Sequence, residues 1–243
     1  MTPDPITLEI LFNGLRSVTD EAFIALTRSA YSTNIKERRD HSTAICDAEG
    51  RLIVQAENSI PIHLASMVGL MRAVLEKFGP DDIHDGDVFV ANDPHVAGGT
   101  HLPDINLALP VFIDGKLSAF ICNIAHHADV GGMVPGSMAG GMSEIYQEGL
   151  RIPVVKLFRR GEMQRDLFDL LLLNVRLPEE RQGDYYAQIA ACRLGARRLK
   201  EIHAKHPQGL IDAAFRDITA RTERRMREGI RAIPDGVYAF EDV

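Results

Sequence analysis

The sequence predicts an α+β fold in which mixed strands and hairpins carry a functional site and a helical C-terminal third follows. Three observations predict it. Two strand-length apolar runs flank Asp114-Gly115, a dipeptide that strongly favours a two-residue hairpin turn. Ahead of these runs, apolar residues recur at helical spacing. From Leu167 onward the pattern is helical throughout. The implied organisation is an α+β body over 1–165 and a helical region over 166–243 that continues from it.

Each element has its own signal. From Ile6 to about Tyr31, the residues Ile10, Leu11, Leu15, Val18, Phe23, Ile24 and Leu26 predict one long helix or two. STAICDAEGRLIVQA reads as two strands joined around Glu49-Gly50. HLASMVGLMRAVLEKF, starting at His63, predicts a helix that stops at Gly79-Pro80. DVFVAND is a short buried strand, and INLALPVFI with LSAFICNIAH forms the hairpin around Asp114-Gly115. PGSM and EIYQEGLRIPVVKL then read as a glycine- and carboxylate-bearing loop. LFDLLLLNV, EERQGDYYAQIAACRLGARRLKEIHAKH and LIDAAFRDITARTERRMREGI supply the closing helices. Two basic runs in that last third (Arg193, Arg197, Arg198 and Lys200, then Arg221, Arg224, Arg225 and Arg227) alternate with acidic residues and apolar stripes. They read as solvated helix faces or subunit contacts.

Composition narrows the function. With 243 residues, 45% hydrophobic and 25% charged, the chain can bury a core as one large domain or two small ones. A net charge of −7 argues against nucleic acid, whose phosphates call for excess Lys and Arg. Cys46, Cys122 and Cys192 are too few and too scattered for a disulfide framework or a cysteine zinc site. The first 25 residues lack a basic signal-peptide region. No apolar run reaches the roughly 18 residues a membrane span needs. The expectation is a soluble cytoplasmic protein with no membrane partner.

The chemistry concentrates between Asn92 and Asp129, and seven of the nine histidines fall between His41 and His127. His101 and Asp104 stand H-x-x-D around a proline; His126, His127 and Asp129 follow the returning strand. A hairpin brings both clusters to one edge. Imidazole with carboxylate and no thiolate suits Zn, Mn or Fe(II) at a site with open positions. Asp40, at the start of another strand, is placed to complete the ligand set. His127 and Asp129 are candidates to orient those ligands or to move a proton. Glu144 and Glu148 either reach the same pocket or share an exposed helical turn, and Arg151 is a candidate anion contact. Asn174, Arg176, Arg181 and Asp184 are either site residues or an ordinary helix start.

NDPHVAGGTHLPDINLALPVF, AHHADVGGMVPGSM, EIYQEGLRIPVVKL and NVRLPEERQGDYYAQIAA, in that order, resemble the B-subunit family of hydantoinases and oxoprolinases. Related subunits of lactamases and ketone carboxylases belong to the same group. The resemblance runs from about Ile6 to the C-terminus. It implies a two-component, ATP-dependent system: an A-type ATPase subunit phosphorylates a small-molecule cyclic amide, and the B subunit completes ring opening at a divalent metal ion. The family's metal ligands match Asp40, His101, Asp104 and His126. His127 or Asp129 would move the proton, and the backbone N–H groups at Gly98-Gly99 and Gly131-Gly132 would face developing negative charge. No GxxxxGK[ST] run is present, consistent with ATP being bound by the partner. Family members continue past IPDGVYAFEDV, so the remaining half of the B subunit is a further expected partner. Two other readings stay open: a ketone-carboxylase subunit using bicarbonate, and a non-catalytic assembly fragment.

Overall fold

A computed structural model describes residues 4–241. The N-terminal apolar stripe forms one helix, α1 (Pro5–Ser29), and the Asp4 carboxylate caps it by accepting the Ile6 and Thr7 backbone N–H groups. The short α2 (Thr33–Lys36) leads into strands β1 (His41–Asp47) and β2 (Leu52–Gln55). Helix α3 (Pro61–Lys77), strand β3 (Val88–Ala91) and the one-turn α4 (Pro94–Ala97) follow. Strands β4 (Asp104–Ile113) and β5 (Lys116–His126) make the expected hairpin. Asp114 has φ 48° and Gly115 φ 76°, the two positive values that a type I′ turn requires. Strands β6 (Val155–Arg159) and β7 (Glu162–Met163) then precede α5 (Arg165–Leu173), α6 (Pro178–Lys205) and α7 (Gln208–Arg231).

The seven strands form one antiparallel sheet in the order β2-β1-β5-β4-β3-β6-β7. Strand β6 lies in the stretch that the sequence reads as loop. Its pattern of burial does not alternate, and its pairing with β3 is a long-range contact that local spacing does not reveal.

Strand alternation divides the core between the two sheet faces. Ala44, Cys46, Phe89, Ala108, Phe120 and Cys122 meet Met67, Leu70, Met71 and Val74 of α3. On the other face, Ile45, Ile105, Leu107 and Ile121 meet Leu15 of α1, Ile189 and Leu199 of α6, and Phe215 of α7. Burying each large apolar side chain stabilises by roughly 1.5–3 kcal/mol, so the helical third is held to the sheet by a shared core. Beyond Ile218, α7 runs out into solvent. Its arginines behave as a solvated face: Arg221 pairs with Asp217 at 2.7 Å and Arg227 with Glu223 at 2.8 Å. Among the described residues no helix is long and apolar enough to cross a membrane.

Candidate metal centre

The hairpin register builds the site. Asp104 opens β4 and His126 closes β5, and the two are directly paired across the ladder. Paired residues share a face, here the one covered by α3. His101 sits in the turn just before β4, where the Asp104 N–H donates to the His101 carbonyl at 3.2 Å. This turn brings His101 Nε2 within 3.3 Å of Asp104 Oδ1. The His101 and His126 rings lie 5.0 Å apart. One ligand atom each from His101, Asp104 and His126 falls within 4.8 Å of the others.

The three side chains are held from behind. Thr100 Oγ1 donates to Asp104 Oδ2. Asn34 Nδ2 of α2 lies 2.9 Å from His126 Nδ1, so the amide donates to that nitrogen as placed. Turning the amide over would put its oxygen there to accept Nδ1–H and leave the Nε2 lone pair for a ligand. Asp104 Oδ1 is buried with no hydrogen-bond partner. A buried carboxylate oxygen without a well-formed hydrogen bond is costly, and a cation held with His101 and His126 would satisfy it. The donor set therefore fits a divalent ion.

The charges agree. Burial pushes the Asp104 carboxyl up, but His101, Thr100 and His63 outweigh it and hold the group below the usual carboxylate range. Burial lowers His126 and His63, against the pull of Asp104 and Asp40. Asp104 raises His101 against its partial burial. A charged carboxylate beside a His126 imidazole that burial keeps neutral suits a cation, whereas His101, raised by Asp104, must give up its proton when an ion binds.

Two more side chains adjoin the group. Asp40 Oδ1 lies 3.6 Å from His63 Nε2, which is itself 3.8 Å from Asp104 Oδ1. The sequence reading nominated Asp40 but used His63 only as a helix residue. The available signal was a histidine on the buried stripe of α3 that continues through Met67, Leu70, Met71 and Val74. The site opens into a shallow pocket of about 410 Å³ lined by His101, Ser137, Met138, Gly140, Met142 and Glu148. Met138 Sδ lies 3.3 Å from His126 Nε2, and Glu148 accepts the Leu102 N–H at 3.0 Å.

Other nominated residues go elsewhere. His127 points to the opposite face because side chains alternate along a strand. Its Nε2 pairs with Gln188 Oε1 at 2.9 Å, its ring packs on Tyr185, and burial pushes its pKa down to about 4. Asp129 accepts the Gly131 and Gly136 N–H groups and pairs with Arg176 at 2.7 Å. The Gly131 and Gly132 N–H groups are taken by Asp129 and Ser137, so they do not face the site. Gly98 serves packing instead: a Cβ on Gly69 of α3 would lie 2.6 Å from Gly98 Cα, so helix and loop touch main chain to main chain. Arg151 pairs with Asp93 at 2.5 Å, and Glu144 caps a helical turn. Asn174 Nδ2 donates to the Leu170 carbonyl. Arg181 pairs with Asp184 at 2.9 Å, and Asp184 accepts the Tyr31 and Ser32 N–H groups. These last residues tie α6 to the end of α1.

Comparison with known proteins agrees in sequence and in shape. The family model described as Hydantoinase B/oxoprolinase matches residues 4–243. The caprolactamase subunit beta of Pseudomonas jessenii is 36% identical over 238 residues, covering 98% of this chain and 40% of that subunit. The crystal structure of the ATP-dependent caprolactamase from the same organism superposes with a TM-score of 0.88 at 35% identity, covering 97% of this chain and 40% of that one. The nucleotide-free structure of acetone carboxylase follows with a TM-score of 0.81 and 25% identity, covering 87% and 28% of the two chains. The chain thus spans less than half the length of these relatives.

Proposed function

For this chain, which belongs to the hydantoinase B/oxoprolinase family, we propose the role of B-type subunit in an ATP-dependent cyclic amide hydrolase that opens a hydantoin, 5-oxoproline or lactam ring. An A-type ATPase subunit phosphorylates the ring amide, and this chain's centre completes the reaction on the activated species. The observation that carries the reading is the convergence of His101, Asp104 and His126 on a buried Asp104 oxygen that has no well-formed hydrogen bond among the described residues.

Asp104, His101 and His126 would hold a divalent ion (Zn, Mn or Fe), with Asp40, the residue just before β1. When bound, such an ion polarises a carbonyl or phosphoryl oxygen and lowers the pKa of a water toward about 7. The chain's own residues do the rest. Thr100 and Asn34 fix the orientation of Asp104 and His126. The Gly140–Met142 stretch and Met138 border the mouth where a ring would sit. Glu148, on the same rim, is better placed than His127 or Asp129 to take a proton.

Metal analysis by mass spectrometry on the purified chain and its His101→Ala variant tests this. A stoichiometric ion, lost in the variant together with ring opening in the reconstituted complex, is expected. Full turnover by His101→Ala would overturn the reading. The likeness to acetone carboxylase favours a second reading, carboxylation of a ketone. ATP turnover that depends on a ketone plus bicarbonate rather than on a lactam would select it.

A further inference from the structure

The hydrogen bonds around His63 determine which of its ring nitrogens carries the proton. Ser42 Oγ accepts the Ile60 backbone N–H at 2.8 Å and lies 3.1 Å from His63 Nδ1. A serine hydroxyl has one hydrogen to give, and Nδ1 is the acceptor within its reach. Nδ1 therefore accepts, and the ring hydrogen sits on Nε2. The opposite tautomer would strand the hydroxyl hydrogen and turn a ring lone pair toward two carboxylates.

That Nε2 lies 3.6 Å from Asp40 Oδ1 and 3.8 Å from Asp104 Oδ1. We propose that His63 is a positioning residue: its Nε2–H, fixed by Ser42, is shared between the Asp40 and Asp104 carboxylates and holds both toward one cation. The inference rests on the metal reading of the site. Two carboxylates drawn together repel each other, and a shared N–H between them offsets part of that repulsion. Asp104 is buried and anchored by Thr100. Asp40 is about a third exposed, and His63 is its ion-pair neighbour among the described residues. Without His63, Asp40 is free to turn to water. Both distances exceed a hydrogen bond, an arrangement that tightens when the bound state forms.

His63→Leu removes the donor, whereas His63→Gln keeps an N–H at similar reach. Zn²⁺ affinity of the full chain is measured for both variants and for Ser42→Ala, and the ¹⁵N resonances of the wild-type imidazoles are recorded without metal. His63→Leu is expected to weaken Zn²⁺ binding about 10–100-fold, as for loss of a residue that orients metal ligands. His63→Gln should stay within a few-fold of wild type, Ser42→Ala should fall between, and ¹⁵N NMR should show protonated Nε2. Wild-type affinity in a folded His63→Leu would reduce His63 to a core residue and overturn the proposal. Equal losses in the Gln and Leu variants, with the proton on Nδ1, would make His63 a direct ligand and also overturn it. If His63→Leu does not fold, Ser42→Ala and the NMR readout still decide. A wild-type chain that takes up no Zn²⁺ would instead defeat the metal reading, and a proton on Nδ1 would then defeat this inference separately.

Discussion

On the α3 face of the sheet, His101, Asp104 and His126 leave a buried carboxylate oxygen unpaired. On the opposite face, His127, Gln188 and Asn123 close on one another. His127 Nε2 meets Gln188 Oε1 at 2.9 Å, Gln188 Nε2 donates to Asn123 Oδ1 at 3.0 Å, and Asn123 Nδ2 donates to the Gln188 carbonyl at 2.8 Å. Neighbouring histidines, both buried, therefore serve opposite ends. The difference teaches that residue type alone does not mark a site. What distinguishes the α3 face is that its unpaired oxygen stands within reach of two imidazoles that could share an ion with it.

The sharpest way to break this contrast is to exchange the two faces' losses. Asp104→Asn keeps volume but removes the charged ligand. It should cost more metal affinity than the about 10–100-fold expected from an orienting residue, with little change in melting temperature. His127→Leu should do the reverse. It leaves the Gln188 amide oxygen without its partner, at a cost of about 1–3 kcal/mol in denaturant unfolding, with metal content unchanged. Metal loss in His127→Leu and not in Asp104→Asn would invert the assignment of the faces.

Acid sharpens the same contrast from the side of stability. In the unfolded chain His127 takes a proton below its ordinary pKa of 6.5, whereas in the fold burial holds it off until about 4. The unfolded state thus binds more protons in that window. Stability is full above pH 6.5 and falls as the pH drops toward 4, by about 3 kcal/mol from this group. Urea melts of wild type and His127→Leu at neutral and acid pH should show the variant losing less. His41, pushed down to about 3 by burial, acts in the same sense and remains in both proteins. Identical pH slopes would remove His127 from the account.

The smallest effect belongs to Asp129. Asp129→Asn weakens the charge-assisted bonds to Arg176, Gly131 and Gly136, at roughly 1 kcal/mol, and should speed proteolysis in the loop that follows. Metal content should not change. Turnover abolished in a stable, metal-loaded Asp129→Asn would restore the proton-moving role that the sequence suggested.

The legible parts of the fold were local. The β4–β5 hairpin announced itself through Asp114-Gly115, and the H-x-x-D spacing needed only one tight turn to bring His101 onto Asp104. The strand period also separates His126 from His127, a distinction available in the sequence that proximity to the ligand cluster obscured. What escaped was assembled from afar. Asn34 sits on a four-residue helix too short to show a period. His63 reaches the group only because α3 crosses that sheet face, and Ser42 becomes its partner only once β1 is in the sheet. Strand β6 is defined by pairing with β3 rather than by its own alternation.

The touching main chains of Gly69 and Gly98 set how this centre can change over generations. Core positions such as Met67 and Leu70 accept exchanges of similar volume at modest cost, so packing there can drift by small steps. At the glycine contact no side chain exists to be trimmed or enlarged, and the first carbon added to either residue meets the other's backbone. The gap between the helix that carries His63 and the loop that carries His101 is either kept or broken. If the proposed metal reading holds, variation in metal preference would be channelled into exchanging donors on a fixed frame, and the frame itself offers mutation no gradual path.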